Sequence, residues 1–326
     1  MYQIASNHIE LSNAHKIDSR IVRLGHSDRR HLADGRFICT KPGFMRLTIL
    51  ITLLFPFTTA FSQSDSIAVV RADWHTQKIS KGITLKQYSF DQSLFNSNQN
   101  VTILEIKPRR KYRMDIIADS ITLKITSEFG KEAGAIAALN GTFFDIKNGG
   151  SVDFVRVDGK QVNSTRLLTN GTRAIHQKAA IITNGKKLDI VKWDGSQHWE
   201  DRLPGEDVML TGPLLIYDNQ PAGLDTAAFY RLRHPRSALA IKDGRILLIT
   251  VDGRNDKAAG MSLYELATFL QWIKADDAIN LDGGGSTTLW IDGQPDNGIV
   301  NYPSDNKKWD HAGERKVANV IVVRKK

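Results

Sequence analysis

The pattern of hydrophobic and polar residues predicts a fold built mainly from antiparallel strands. β-branched and aromatic residues accompany an Asp-Gly or Asn-Gly pair in four segments, residues 154–162, 179–191, 238–251 and 287–295. Asp and Asn tolerate a positive φ and Gly adopts it freely, so each pair is typical of a tight turn between paired strands. β-rich runs predict three further strands, over residues 83–90, 101–106 and 112–119.

Two helices are predicted among these strands. Ser262 and Glu265 have the spacing of a capping box, and the apolar residues that follow share one helical face up to about Ala275. An apolar spacing of four residues predicts an earlier helix over residues 121–132.

The fold class that these elements indicate is mixed α/β, of the α+β kind. It is a strand-rich single domain with antiparallel hairpins and a few packed helices. No linker rich in Pro, Gly or Ser divides residues 101–326, which are predicted to form this domain after a lead-in over residues 63–100.

A short apolar run over residues 47–55 predicts a signal peptide, residues 45–62. A basic residue precedes the run, and small residues before Gln63 suit a cleavage site. The run is too short for a membrane span of about 20 residues; a buried N-terminal helix is the alternative. We expect a periplasmic or extracellular protein with no stable membrane span. Residues 1–44 are predicted to be an unstructured upstream extension, which leaves Met1 and Met45 open as the start.

Composition and charge exclude several functional classes. The chain has 326 residues, of which 41% are hydrophobic, so it can build a core. Its net charge of +9 is spread along the sequence rather than concentrated in a stripe, and nucleic acid is therefore not a predicted partner. Cys39 is the only cysteine, so disulfides, cysteine zinc sites and cysteine nucleophiles are excluded for everything after it. His spacing gives little support for a metal site.

The segment NLDGGGSTT contains three consecutive glycines directly after Asp282. A nucleotide-binding glycine loop would open a helix, whereas β-forming residues follow here, so that interpretation is disfavoured. The turn is predicted to present the Asp282 carboxyl, backbone N–H groups and the Ser286 hydroxyl at one place, where N–H groups can bind an anion. A plain glycine-rich hairpin is the alternative.

Asp252 and Arg254 stand at the end of another apolar strand. The capped helix separates this strand from the one that ends at Asp282, which predicts a parallel β-α-β unit with both carboxylates at the same edge. Two neighbouring carboxylates can divide acid, base and nucleophile roles. An ordinary turn at Asp252-Gly253 is the alternative.

Three other segments carry candidate binding groups. A basic cluster precedes a strand and consists of Arg231, Arg233, His234 and Arg236. Guanidinium groups match phosphate oxygens in a bidentate way; a solvated basic turn is the alternative. Asn140-Gly141 precedes two phenylalanines that could stack on a sugar ring, although a turn followed by core residues explains them equally. Thr211-Gly212 precedes a proline and a strand.

In chain order, seven segments resemble the phosphodiester glycosidase family over residues 100–326. They are NGTFF, TGPLL, HPRSA, VDGR, GMSLYELA, LDGGGST and NYPSD…ERKVAN. The departures are Thr142, where the family often has Gly or Ser, and Ala240, where it often has Gly. The resemblance implies hydrolysis of a sugar-1-phosphodiester at the glycosidic bond, which releases the sugar and leaves a phosphomonoester. Bacterial members are often labelled exopolysaccharide-related, which implies glycan or exopolysaccharide as substrate.

The resemblance also implies roles for individual residues. Arg236 and Arg254 would bind the phosphate, and Asp282 and Asp252 would act as nucleophile or water-activating base. The implied substrate-binding residues are Asn140, Gly141, Thr211, Gly212, His234, Gly283, Gly284, Ser286 and Thr287.

No cofactor is required, although a divalent ion at Asp252 and Asp282 is compatible with the sequence. One alternative is a metal-dependent phosphodiesterase that cuts the P–O bond. Another is an exported carbohydrate-binding protein without turnover. The sequence leaves open the sugar, the group beyond the phosphate, the stereochemical course and the oligomeric state.

Overall fold

The computed structural model of the protein describes residues 60–326, with side chains from residue 64 onward. The predicted upstream extension, residues 1–44, lies outside the described residues. The predicted signal peptide, residues 45–62, lies outside them too, apart from its last three residues, which open helix α1 (Ala60–Val70). Within residues 60–326, no helix combines the length and the apolar character that crossing a membrane requires.

Strands dominate the described part of the chain, and helices are few. Besides α1, the helices are α2 (Thr126–Glu132), α3 (Ala228–Arg231) and α4 (Leu263–Trp272), with 3-10 helices at Ile175–Gln177, Trp199–Arg202, Gly284–Ser286 and Asp296–Gly298. The strands are β1 (His75–Ser80), β2 (Ile83–Leu94), β3 (Ser97–Ile106), β4 (Tyr112–Ala118), β5 (Lys124–Ile125), β6 (Ala135–Asn140), β7 (Val155–Val157), β8 (Lys160–Asn163), β9 (Ala179–Thr183), β10 (Leu188–Lys192), β11 (Asp207–Leu210), β12 (Leu214–Tyr217), β13 (Gln220–Pro221), β14 (Arg236–Lys242), β15 (Arg245–Val251), β16 (Asp277–Asn280), β17 (Leu289–Ile291), β18 (Lys316–Val317) and β19 (Asn319–Lys325). The fold is therefore mostly β with some helices, as the strand-rich prediction has it.

The principal sheet has eight strands in the order β1-β2-β3-β15-β14-β16-β12-β13, and each neighbouring pair is antiparallel. Its central strands are buried on both faces. Ile246 and Leu248 of β15 point into the largest hydrophobic cluster, whereas Leu247 and Ile249 point into a second cluster that contains one face of α4. Because side chains alternate along a strand, this double burial explains the continuous apolar run of β15.

Smaller sheets cover the first face of the principal sheet. Their orders are β17-β6-β19-β4 and β10-β9-β11-β7-β8, and a short pair joins β18 to β5. Residues of these sheets, such as Leu139 of β6 and Ile181 of β9, share the largest cluster with Leu248 of the principal sheet. The end of β6 is thereby brought close to the principal sheet, which matters for the site described below.

Strand β15, helix α4 and strand β16 form the predicted parallel unit, with one difference. Both strands pair antiparallel with β14, which lies between them, so they run parallel to each other without being neighbours. The predicted cap of α4 is confirmed, because Glu265 N–H donates to Ser262 Oγ (3.1 Å) and Ser262 N–H donates to Glu265 Oε2 (2.8 Å). The carboxyl ends of β15 and β16 therefore meet at one edge of the sheet.

Three of the four predicted hairpins are confirmed: β7–β8, β9–β10 and β14–β15. Asp158-Gly159 and Asp243-Gly244, which join the first and the third, both have positive φ, as a tight hairpin turn requires. The fourth prediction, residues 287–295, is wrong as a hairpin of regular strands. There β17 pairs with β6, and only an isolated bridge joins Trp290 to a later residue.

The predicted helix over residues 121–132 is shorter in the structure. Asp119 Oδ1 accepts hydrogen bonds from the N–H groups of Ile121 (2.9 Å) and Thr122 (2.7 Å), which turns the chain before any helix can begin. Ile121 is 73% exposed, and α2 covers only the second half of the predicted span. Residues 63–100, predicted as a lead-in, contribute β1, β2 and the start of β3 to the principal sheet.

Candidate active site

Strands β14, β15 and β16 bring the predicted polar residues to one edge of the principal sheet. Arg236 opens β14 opposite Val251, so Asp252 follows at the same level. Ala238 of β14 lies opposite Asn280, the last residue of β16. Beyond that point the chain stays beside β14, since Gly284 N–H donates to the Pro235 carbonyl at 2.8 Å.

Asn140, at the end of β6, fixes the backbone of Asp282. Asn140 Nδ2 donates to the Asp282 carbonyl at 2.7 Å, and Asp282 N–H donates to the Gly141 carbonyl at 2.9 Å. The other end of the amide is also occupied, because Asn140 Oδ1 accepts from Ser237 Oγ (2.6 Å) and Thr288 N–H (3.1 Å). Asn140 is fully buried and its amide is engaged, so the geometry gives it a positioning role.

Gly141 leaves room for a side chain from another strand. A Cβ atom at this position would overlap Asn319 Oδ1, which accepts a hydrogen bond from Thr142 N–H at 2.6 Å. The Asn140-Gly141 pair therefore joins β6 to the Asp282 loop and to β19 at once.

The Asp282 carboxyl is half-buried at the start of the glycine loop, residues 283–285. Burial raises the pKa of Asp282 to about 6, against the lowering effects of Ser286, of the Gly283 N–H and of the charges on Arg315 and Arg254. Gly283 N–H donates to Asp282 Oδ1 at 3.0 Å. A carboxyl with this pKa changes its charge close to neutral pH, which suits an acid, a base or a nucleophile.

At the first two positions of the loop, neighbouring atoms come too close to the backbone for any residue with a Cβ atom. A Cβ atom at Gly283 would lie 2.6 Å from the Pro235 carbonyl oxygen. Gly284 has a φ of +63°, and a Cβ atom there would lie 2.9 Å from Arg254 Nη2. The Arg254 guanidinium therefore rests against the loop backbone.

The third glycine lies under an ion pair that the sequence analysis missed. A Cβ atom at Gly285 would overlap Arg315 Nη2 and approach Asp305 Oδ1 to 2.5 Å. Arg315 Nε donates to Asp305 Oδ1 at 2.9 Å, so the two side chains hold each other over the loop. Arg315 belongs to the ERKVAN segment, which was quoted for the family resemblance without a role for the arginine.

Arg254 is a cation without a carboxylate partner. Its side chain makes no hydrogen bond or ion pair with any residue of the described chain, although its charge acts on Asp282. Arg254 is exposed, and partial desolvation of its guanidinium together with the charge of Arg315 lowers its pKa. Its own φ is +62°, an uncommon value for a residue with a side chain, so the loop holds Arg254 in a specific orientation.

Arg236 is also buried without a carboxylate partner, and it is only 2% exposed. Its Nε donates to the Met261 carbonyl (2.9 Å), and its Nη2 donates to the carbonyls of Phe229 and Leu232 (3.0 Å each). No carboxylate among residues 60–326 lies within ion-pair distance of it, and Nη1 makes no hydrogen bond there. Burial, with the charge of Arg254, lowers its pKa to about 10. The cation is thus solvated by carbonyl dipoles but is not neutralised.

The remaining members of the predicted basic cluster behave differently. Burial, together with the charges of Arg236 and Arg254, lowers the pKa of His234 to about 4, so its ring is neutral at physiological pH. Arg233 is paired with Glu265, its Nε lying 2.9 Å from Glu265 Oε1, and is not free for a ligand. The two cations that face the site without a carboxylate are therefore Arg236 and Arg254.

Asp252 lies at the same edge as Asp282, but both of its carboxylate oxygens are engaged. Oδ2 accepts from Asn100 Nδ2 (2.7 Å), and Oδ1 accepts from Asn301 Nδ2 and from Tyr302 N–H (2.9 Å each). The residue is completely buried, which raises its pKa. This geometry favours a role in positioning β3 and the segment after β17 over direct contact with a substrate.

The last predicted site residues are buried behind the loop. Thr211 Oγ1 donates to the Asn280 carbonyl (3.2 Å), and the Gly212 carbonyl accepts from Asn280 Nδ2 (3.0 Å), so both support the end of β16. Ser286 is close enough to Asp282 to lower its pKa, and the buried Thr287 hydroxyl has no hydrogen-bond partner in the described structure. No group of three or more His, Cys, Asp or Glu side chains that could hold a metal ion occurs in residues 60–326.

Comparison with known proteins identifies the family to which this chain belongs. The family model described as phosphodiester glycosidase matches residues 133–324, which include every one of the predicted site residues. The chain belongs to the phosphodiester glycosidase family and is therefore a member of a family of hydrolases.

Its relatives include N-acetylglucosamine-1-phosphodiester alpha-N-acetylglucosaminidases from two mammals. The mouse enzyme is 30% identical over 183 residues, which cover 53% of this chain and 34% of that protein. The bovine enzyme is 29% identical over 188 residues, which cover 55% of this chain and 34% of that protein. The chain thus spans about a third of the length of the curated relatives it matches.

Two solved structures share the fold. The catalytic domain of zebrafish N-acetylglucosamine-1-phosphodiester alpha-N-acetylglucosaminidase, auto-inhibited by its pro-peptide, superposes with a TM-score of 0.57 at 20% identity, covering 78% of this chain and 88% of that one. A hypothetical protein from Synechocystis gives a TM-score of 0.56 at 18% identity, covering 77% and 63%. At these identities the similarity establishes the fold alone.

Proposed function

We propose that the protein hydrolyses a sugar-1-phosphodiester at its glycosidic C–O bond, releasing the sugar and leaving a phosphomonoester on the other partner. Family membership supports the reaction class, and the mammalian relatives are named for N-acetylglucosamine-1-phosphodiesters. The observation that carries the proposal is the pair Arg236 and Arg254, two cations without carboxylate partners beside Asp282, whose pKa is about 6.

Arg236 and Arg254 offer an anion-binding site, because no carboxylate of the described chain forms an ion pair with either guanidinium. Buried cations in proteins are ordinarily paired, because removing a charge from water is costly. Here the buried Arg236 is held by carbonyl groups rather than by a carboxylate, whereas the exposed Arg254 rests against Gly284 and makes no ion pair within the described chain. A phosphodiester carries a single negative charge spread over two free oxygens, and guanidinium groups match such oxygens.

Asp282 is the reactive carboxylate in this proposal. A phosphomonoester is a good leaving group, so the reaction depends less on a strong general acid than ordinary glycoside hydrolysis does. The remaining need is a carboxylate that stabilises the oxocarbenium-like centre and either attacks it or activates water. Asp282 satisfies this need at neutral pH, and Asn140 and Gly141 fix its backbone.

The other predicted residues have supporting roles in this scheme. Asp252 organises the edge through its three donors, and the Asp305–Arg315 ion pair covers the glycine loop. The backbone of Gly283 and Gly284 orients the phosphate, whereas the hydroxyls of Ser286 and Thr287, which the sequence predicted to bind substrate, are buried and support the loop instead. We further propose an exported protein, periplasmic or extracellular, that acts on glycan or exopolysaccharide material.

The test is turnover of a panel of sugar-1-phosphodiesters by the full chain, with and without a chelator. The expected products are the free sugar and a phosphomonoester, formed at the same rate when the chelator is present. Asp282→Asn protein purified in the same way controls for contaminating hydrolases. Turnover that the chelator abolishes would favour a metal-dependent phosphodiesterase. Binding without turnover in both proteins would favour a carbohydrate-binding protein.

A further inference from the structure

A row of rings leads away from the proposed phosphate site. The Phe229 ring centroid lies 5.1 Å from the Arg236 guanidinium carbon, and Phe143 lies 6.3 Å from Phe229. His176 continues the row, with its ring centroid 4.8 Å from that of Phe143. Phe143 and Phe229 are only half-buried, and Phe229 also packs against the second hydrophobic cluster, so the row keeps accessible ring surface on a firm support.

His176 lies where two of the predicted substrate-binding segments meet. It sits in the 3-10 helix Ile175–Gln177, against the Phe143 ring of the segment that begins at Asn140. A Cβ atom at Gly212 would lie 3.2 Å from the His176 Cα atom, so Gly212 leaves the space that His176 occupies. The spacing of histidines along the sequence gave no sign of this residue, because its partners are distant in the chain.

A buried carboxyl faces one nitrogen of the His176 ring. Asp153 Oδ2 lies 3.5 Å from His176 Nε2 and has no other hydrogen-bond partner in the described structure. Asp153 is completely buried, and its Oδ1 accepts a hydrogen bond from Gln177 Nε2 at 2.8 Å. The separation is slightly longer than an ordinary hydrogen bond, and His176 Nε2 is the polar atom that lies against this oxygen.

The pair leaves the second ring nitrogen for a ligand. If Asp153 is protonated, its O–H donates to Nε2 and the imidazole proton resides on Nδ1; if it is ionised, Nε2–H donates to it and Nδ1 is an acceptor. Burial raises the pKa of Asp153 to about 8 and lowers that of His176 to about 4, which favours the first arrangement at neutral pH. Nδ1 makes no hydrogen bond with any described residue in either case.

We propose that His176, oriented by Asp153, is the polar anchor of the sugar subsite and hydrogen-bonds a hydroxyl or N-acyl oxygen of the sugar through Nδ1. Phe143 and Phe229 lie against the apolar face of the sugar ring, and the phosphate lies at the Arg236 end of the row. The inference deepens the proposed function and rests on it for the location of the phosphate.

The first experiment compares His176→Phe with wild type on one sugar-1-phosphodiester and its single-deoxy analogues. The variant keeps a ring beside Phe143 and removes both nitrogens. We expect about a tenfold loss of kcat/KM on the parent substrate, carried mainly by KM, the size of one lost hydrogen bond. On the analogue that lacks the contacted group, wild type and variant should agree within about twofold, because that interaction is already absent.

Two further variants separate orientation from folding. Asp153→Asn should show a partial loss in KM on the parent substrate, and His176→Gln, which retains a polar group, should recover part of the affinity that His176→Phe loses. His75→Phe, at an exposed position on the edge strand β1, is the matched control and should behave as wild type. An equal loss on every analogue would overturn the proposal, since it would show general damage to the fold.

A second measurement does not depend on turnover. In protein labelled with ¹⁵N-histidine, the His176 Nδ1 resonance, assigned with His176→Gln, should shift when a hexose or N-acetylhexosamine 1-phosphate is added and not with inorganic phosphate alone. A shift without turnover of any diester would support the sugar subsite and contradict the proposed reaction. Turnover without a shift for any sugar phosphate, or binding of none of them, would overturn the subsite.

Discussion

Asp252 and Asp282 follow equivalent strands, yet the structure treats the two carboxyls differently. Each stands just beyond a strand that runs antiparallel to β14, and each precedes a glycine. Asp252 is completely buried and accepts three hydrogen bonds, whereas Asp282 is half-buried and one of its oxygens receives the neighbouring Gly283 N–H. We therefore propose that hydrogen-bond saturation, rather than position along the strand, makes Asp252 structural and leaves Asp282 to react.

The electrostatic surroundings sharpen the same contrast. Burial raises the pKa of both carboxyls, but two arginines, Arg254 and Arg315, act on Asp282, whereas Asp252 is held by two amides and a backbone N–H, with His311 as the charge that acts on it. A carboxylate near unpaired cations can work on an anionic substrate. A carboxylate enclosed by amide donors can only hold those donors in place.

The largest expected effect is that of Asp282→Asn on turnover. We expect kcat to fall by at least about 100-fold, because the variant removes the carboxylate that we propose attacks the sugar or activates water. Asp243→Asn, in the exposed turn between β14 and β15, is the matched control and should retain wild-type kcat. A loss of less than about fivefold in kcat for Asp282→Asn would contradict the proposal that Asp282, unlike Asp252, is the reactive carboxylate.

Arg254→Ala should have the next largest effect. Loss of a charge-assisted contact to the phosphate should lower kcat/KM by about 10- to 100-fold. The measurement is steady-state kinetics beside Arg231→Ala, an exposed arginine of the same predicted basic cluster that should behave as wild type. Equal losses in the two variants would indicate a general effect of positive charge rather than a phosphate site.

The pH dependence of kcat/KM tests the state of Asp282. Because burial raises its pKa to about 6, the carboxylate becomes scarce below that pH, and kcat/KM should fall about tenfold per pH unit on the acid side. The same shift favours the protonated form in the folded protein, so this carboxyl's contribution to stability declines as the pH rises from 3.8 to about 6. A flat profile between pH 5 and pH 7 would contradict the assignment.

Asp252→Asn should have the smallest effect on activity and a clear effect on stability. An amide at this position turns one N–H group toward donors, which should cost about 2–3 kcal/mol of the free energy of unfolding. Tm should fall by about 5–10 °C in thermal denaturation, while kcat of the folded protein changes by less than about tenfold. Asp256→Asn, at an exposed position nearby, controls for the substitution itself. An unchanged Tm with a 100-fold loss of kcat would make Asp252 catalytic.

The features that could be predicted from the sequence are those set by neighbouring residues. The capping box of α4 needs only Ser262 and Glu265, and the turn between β14 and β15 needs only Asp243-Gly244. The shared edge of Asp252 and Asp282 also followed, because a helix between two strands returns the chain to the same end. The strand that lies between them did not follow, since β14 precedes both in the chain.

The features that could not be predicted depend on contacts between distant segments. The Asp252 carboxylate accepts hydrogen bonds from Asn100, Asn301 and the Tyr302 N–H, and no local sequence pattern predicts these partners. Arg315 and Asp305 are explained only by the space above Gly285. The helix expected over residues 121–132 failed for a related reason, because the Asp119 side chain competes for the backbone that the helix would use.

The most direct test of the account is hydrolysis of a sugar-1-phosphodiester in ¹⁸O-labelled water, followed by mass analysis of both products. Cleavage of the glycosidic C–O bond places the label in the released sugar and none in the phosphomonoester, which is the predicted result. Label in the phosphomonoester would show attack at phosphorus. That outcome would contradict a glycosidase centred on Asp282 and would assign the site to a phosphodiesterase.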